Sequence, residues 1–159
     1  MKIIYLIRHA KSAWNDSTIT DYERVLNKRG LKDVSFMAKR LIELNFNSGL
    51  IICSPAKRTH QTLELIPKNI PILFDSSIYE ASLNDLTGLI QKLPNEHCEV
   101  SIIGHNPSLT YLSNYLTNDF IDNMPTCSIV KIELEIDNWN EIVNGIGIKK
   151  YFIYPKAFN

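Results

Sequence analysis

A chain of 159 residues, 45% hydrophobic and 21% charged, has the size and composition of a soluble fold able to bury a complete core. Lysine plus arginine equals aspartate plus glutamate at 17 each, so no global field draws the chain to nucleic acid or an anionic membrane. Three cysteines, Cys53, Cys98 and Cys127, without C-x-x-C spacing speak against a disulfide framework or a zinc site and suit a reducing compartment.

The continuous apolar run Ile3–Ile7 predicts a strand buried on both faces. It ends at Arg8-His9, too early for a secretory signal, and no segment has the length to cross a bilayer, so a cytoplasmic protein is expected. Lys11–Asp21 reads as a loop. From Asn27 to Leu44, the residues Leu31, Val34, Ala38, Leu41 and Ile42 recur at helical spacing, with Asn27 as N-cap. Leu50–Cys53 is a second buried strand. Ser54-Pro55 has the form of an N-cap followed by proline at the first helical position, opening a helix that runs through Arg58, Gln61 and Leu65 until Pro67. Ile72–Phe74 reads as a short strand, Asn84–Lys92 as a helix closed by Pro94, Val100–Gly104 as a strand and Pro107–Leu116 as a helix. Ile129–Ile136 and Ile146–Tyr154 read as strands of a C-terminal hairpin around Asn138-Trp139-Asn140. The alternation implies an α/β fold, a mostly parallel sheet flanked by helices on both faces, as one domain over residues 1–159.

A parallel sheet gathers ligands at the carboxyl ends of its strands. Here those ends are followed by Arg8-His9, by Ser54-Pro55-Ala56-Lys57-Arg58, by Tyr79-Glu80-Ala81 and by His105-Asn106-Pro107. Two arginines, two histidines and a carboxylate on one rim suit phosphoryl transfer, which depends on positioning and on stabilising charge on three equatorial oxygens. Arg8 and Arg58 offer planar donor forks, and His105 a further donor. His9 is the candidate nucleophile through one ring nitrogen, provided that the other is hydrogen-bonded to fix the tautomer. Glu80 is the candidate proton donor to the leaving group and activator of water. The scheme calls for no metal and no cofactor. Each residue alone has a bland reading, since strand ends and helix surfaces commonly carry solvated Arg, His and Glu; four independent strand ends pointing to one chemistry outweigh it.

Other chemistries fit less well. A cysteine phosphatase loop places five residues between thiolate and arginine, whereas Cys53 and Arg58 have four between them and no glycine. Gly145-x-Gly147 lacks a third glycine for a dinucleotide fingerprint, and no P-loop is present. Trp139, Tyr151, Phe152 and Tyr154 read as sheet packing.

These motifs resemble the histidine phosphatase superfamily, the phosphoglycerate-mutase-like proteins. Arg8-His9-Ala10-Lys11-Ser12-Ala13-Trp14-Asn15 is similar to its N-terminal signature, Arg-His-Gly-Glu-Ser-x-Trp-Asn. Ser54-Pro55-x-x-Arg58-x-x-Gln61-Thr62 and Gly104-His105-Asn106-Pro107 are similar to its second and third motifs. Arg-His-Ala, the stretch Asp21-Tyr22-Glu23-Arg24-Val25-Leu26 and Tyr79-Glu80-Ala81 resemble the short SixA-type branch, the phosphohistidine phosphatases. The resemblance implies transient phosphorylation of His9, with Arg8, Arg58 and His105 holding the phosphoryl group and Asn15, Ser12, Arg24 and Asn106 as further phosphate contacts. Larger relatives carry an insertion over the site; here one predicted helix follows Glu80, so an open site is expected. That suits phosphohistidine on a protein. The alternatives are a small phosphate ester as substrate, or a phosphate-binding module without turnover.

Overall fold

The computed structural model describes residues 1–158, so Asn159, the last residue of the expected unit, lies outside the described residues. Six strands form one sheet: β1 (Lys2–Arg8), β2 (Leu50–Cys53), β3 (Ile72–Phe74), β4 (Glu99–Gly104), β5 (Ile129–Leu134) and β6 (Gly147–Ile153). Their order is β3-β2-β4-β1-β5-β6. The first four strands pair in parallel; β5 runs antiparallel to β1, and β6 antiparallel to β5, with a register irregularity at Lys131/Ile132. This is the expected α/β sheet with its C-terminal hairpin.

Apolar cores cover both faces, which is why the central strands carry no alternation. On one face lie Ile4 and Leu6 of β1, Leu50 and Ile52 of β2, and Val100 and Ile102 of β4, under α3 (Leu83–Gln91) and α4 (Ser108–Thr117). On the other lie Tyr5, Ile7, Ile51, Cys53 and Ile103, under α1 (Lys28–Glu43) and the segment after α2 (Lys57–Thr62). No described helix is long and apolar enough to cross a membrane.

Three local readings are corrected. Asn27 does cap α1, accepting from the Gly30 N–H at 2.8 Å. The buried stripe, however, is Gly30, Val34, Met37 and Leu41, while Leu31 and Ile42 face outward. The helix expected from Pro55 begins only at Lys57, with Ala56 at the cap position, and tightens to a 3-10 turn at Leu63–Leu65. Trp139 does not line a strand. It sits in a 3-10 turn between β5 and β6, fully buried, with its indole N–H donating to the His97 carbonyl at 2.8 Å.

Candidate active site

The site is assembled by strand register. Arg8 lies opposite Gly104 across β1 and β4, and the His9 N–H donates to the Gly104 carbonyl at 3.1 Å. The Ser54 N–H donates to the Ile103 carbonyl at 3.0 Å, which brings the end of β2 level with both. Gly104 is the residue that fits there, because a Cβ would stand 2.8 Å from the Ile78 Cγ2.

Arg8, His9, Arg58 and His105 are brought together at this edge. The two imidazoles have ring centroids 5.3 Å apart. His9 and His105 are both nearly buried, as is Arg58. The His9 Nδ1 lies 2.7 Å from the Ala10 carbonyl. A carbonyl only accepts, so Nδ1 carries the proton and Nε2 presents a lone pair. His105 Nε2 meets the Ser54 hydroxyl at 2.8 Å, and its buried Nδ1 has no partner among the described residues. Burial first, then the charges of Arg58 and Arg8, pulls the His9 imidazolium down to about 4 against the Ala10 hydrogen bond. Burial, the neighbouring His9 and Arg58 pull His105 down to about 3. Both rings are therefore neutral at pH 7, the state in which the His9 Nε2 carries its lone pair.

The two guanidiniums are partly committed. Arg8 donates from Nη1 to the Met124 carbonyl at 2.7 Å and leaves Nε buried without a partner. Its protonation is weakened by burial and then by Arg58. Arg58 donates to Asp21 through both its Nη1 and Nη2. Asp21 also accepts from the Tyr79 hydroxyl at 2.6 Å. That hydrogen bond, more than Arg58, holds the Asp21 carboxyl below the usual carboxylate range. The Tyr79 ring lies 5.5 Å from His105 and stacks on Tyr22 at 5.2 Å.

The remaining expected residues are placed differently. Glu80 is exposed in a left-handed backbone conformation (φ 56°), with no side-chain hydrogen bond among the described residues; its neighbour Tyr79 faces the imidazole. Ser12 is buried and pairs through its backbone with Leu26. Asn15 is exposed. Arg24 is buried, with its guanidinium carbon 3.6 Å over the Trp14 ring and its Nη1 donating to the Ala13 carbonyl at 2.9 Å. Asn106 donates to Asn123 and Met124 and accepts from Thr110. It thus holds the loop whose Met124 carbonyl anchors Arg8. Sequence reasoning missed Asp21 and Tyr79 as members of the site, and Ser54 as the partner of His105. Cys53 is fully buried and burial pushes its thiol up to about 12, which agrees with a structural role. Among the described residues no three His, Cys, Asp or Glu side chains group as metal ligands would.

Known proteins share this architecture. A SixA structure from Agrobacterium tumefaciens superposes with a TM-score of 0.84 at 23% identity, covering 97% of this chain and 98% of that one. The protein histidine phosphatase SixA complexed with tungstate superposes at 0.81 and 22% identity, over 99% of both chains. An uncharacterized chloroplastic protein of Arabidopsis thaliana is 26% identical over 151 residues, covering 87% of this chain and 69% of its own length. The model of the histidine phosphatase superfamily (branch 1) matches residues 4–100, more than half of the chain. On that match the chain belongs to the histidine phosphatase superfamily and is a phosphohydrolase.

Proposed function

We propose that the protein removes phosphate from protein phosphohistidine through a phosphohistidine intermediate on His9, without a metal ion. The observation that carries the reading is the 2.7 Å contact of His9 Nδ1 with the Ala10 carbonyl, which leaves Nε2 free to attack. In the first step Nε2 bonds to phosphorus as the substrate's P–N bond breaks, and the departing imidazole keeps that electron pair and takes up a proton from solvent. In the second, water attacks phosphorus, the P–N bond to His9 breaks, and inorganic phosphate leaves as the water's proton passes to solvent. Arg8, Arg58 and His105 supply the donors that steady the equatorial oxygens throughout.

The short connection after Glu80 supports a protein substrate, since no long insertion stands there to enclose a small one. The stretch between Glu80 and β4 contains one nine-residue helix, α3, whose Leu86 and Ile90 are packed into the core on one face of the sheet. Imidazole is a good leaving group once protonated, which lessens the need for a carboxylic acid such as the exposed Glu80. The test is phosphate release in chelator from a histidine-phosphorylated protein, phosphoglycerate and sugar phosphates, with His9→Ala as control. Much faster turnover of the small esters would replace the substrate reading; loss of activity in chelator would overturn the metal-free one; binding without turnover would point to a module that only holds phosphate.

A further inference from the structure

The loop after the nucleophile and the start of α1 form one surface. The Asn27 N–H donates to the Lys11 carbonyl at 3.0 Å, and Ser12 pairs with Leu26. Gly30 lies so close to the Lys11 carbonyl that a Cβ could not be accommodated without moving backbone. Lys28, Arg29 and Lys32, in the first turns of α1, therefore ride on the segment two residues beyond His9. With Lys11 and Lys156 they are all exposed. Arg29 is shared by three shallow hollows, the largest of about 640 Å³, which place these cations around a common centre. Only Asp33 opposes them there, 3.7 Å from Arg29, and Lys11, Lys28, Lys32 and Lys156 have no ion pair among the described residues.

An aromatic residue stands inside this basic surface. Trp14 is 72% exposed and Leu31 52%, and both line the largest hollow. Trp14 is not loose, because the Arg24 guanidinium stacks under it and is itself tied to the Ala13 carbonyl. A fixed, exposed tryptophan stacked on Arg24 and sharing a hollow with Lys28 and Arg29 has the composition of a protein-binding anchor.

Beyond Arg24, whose Nε lies 3.9 Å from Asp21, the surface has the other sign. Asp21, Glu23 and Glu80 are exposed around the stacked Tyr22 and Tyr79. A duplex or an anionic bilayer spanning the site would meet those carboxylates, whereas a protein can present carboxylates to one side only.

We propose that Lys11, Trp14 and the first turns of α1 form a docking face for the phosphoprotein, one that selects substrates carrying carboxylates beside the phosphorylated residue. This rests on the reading of the site as a protein phosphohistidine phosphatase, and the experiment separates the two. Binding is measured on the full chain carrying His9→Ala, so that no turnover is involved. The probes are two histidine-phosphorylated peptides, one with Asp and Glu flanking the phosphohistidine and one with Asn and Gln. The acidic peptide is expected to bind about tenfold more tightly at low salt, and to lose that advantage at high salt and in His9→Ala/Lys28→Glu/Lys32→Glu. Trp14→Ala is expected to weaken both peptides. Equal binding of the two peptides, a preference that survives charge reversal, or equally tight binding of an RNA oligonucleotide or phosphatidylserine vesicles would overturn the docking face. Phosphate release from free phosphohistidine by the unmodified chain reads the catalytic proposal alone; it should stay within about twofold in Lys28→Glu/Lys32→Glu.

Discussion

Arg58 spends both ends of its fork on Asp21: Nη2 donates to the carboxylate at 3.0 Å and Nη1 to the backbone carbonyl at 2.6 Å. The carboxylate thus stands where an oxygen of a bound phosphoryl group would compete for the same guanidinium. Asp21→Asn keeps the backbone contact and removes the negative charge. Inorganic phosphate should then bind about fivefold more tightly, a modest gain because the carboxylate is half exposed and screened. Competitive inhibition by phosphate measures this; weaker inhibition in the variant would show that the carboxylate serves only to aim Arg58.

His9→Ala should reduce turnover by at least about a thousandfold and leave no acid-labile phosphate on the protein after exposure to substrate. Cys53→Ser should retain turnover, since the buried thiol is protonated and faces the Ser54 carbonyl rather than the imidazoles. Radiolabelled phosphate trapped at low temperature, followed by mild acid, distinguishes the two nucleophiles.

Protonation of His9 silences its lone pair, and its folded value near 4 moves that event well below the usual 6.5. The acid limb of kcat/KM, which reports the free enzyme, should therefore lie below about pH 5, read with a substrate whose own ionisation is known. Stability follows the same groups. The unfolded chain takes up protons at His9 and His105 near 6.5, whereas the folded chain resists until about 4 and 3. This contribution is fully present above 6.5 and is lost as pH falls from there toward 4 for His9 and 3 for His105. Urea melts between pH 7 and 4.5 should show a falling midpoint, and replacing both histidines should flatten it.

Glu80→Gln should matter by leaving group. An alkyl phosphate needs a proton delivered as its oxygen departs, so ester turnover should drop about tenfold, while phosphohistidine turnover should fall by less than about threefold. Parallel kcat measurements on the two substrates test this. Equal losses would place Glu80 in contact with the reacting phosphate in both cases.

The strands and their order of appearance were readable because burial on both faces leaves unbroken apolar runs such as Ile3–Ile7 and Leu50–Cys53. The convergence of Arg8, Arg58 and His105 on His9 followed from the rule that parallel strands end together. What was hidden has physical causes. Gly30 belongs to the buried stripe of α1 yet carries no hydrophobic signal, so Leu31 and Ile42 displaced it in the periodicity. Ser54-Pro55 reads as a helix start, but the Ser54 hydroxyl is engaged by His105 and the chain turns helical three residues later. Asp21 lies in a polar loop, and only the fold shows that Arg58, 37 residues on, reaches it.

The strand β1 lies inside the sheet, and the backbone at its end is gripped from both sides: the His9 N–H by Gly104, and the His9 carbonyl by the Cys127 N–H at 3.0 Å. The ping-pong reaction proposed for His9 uses one nitrogen twice, first as entering group and then as leaving group, along opposite directions of one line. With its main chain clamped by neighbours on either flank, His9 can keep that line between the two half-reactions. The travelling parts are then the phosphorus and the side chains around it, and the segment leading into β5, remote from the motifs, helps β4 hold the axis still.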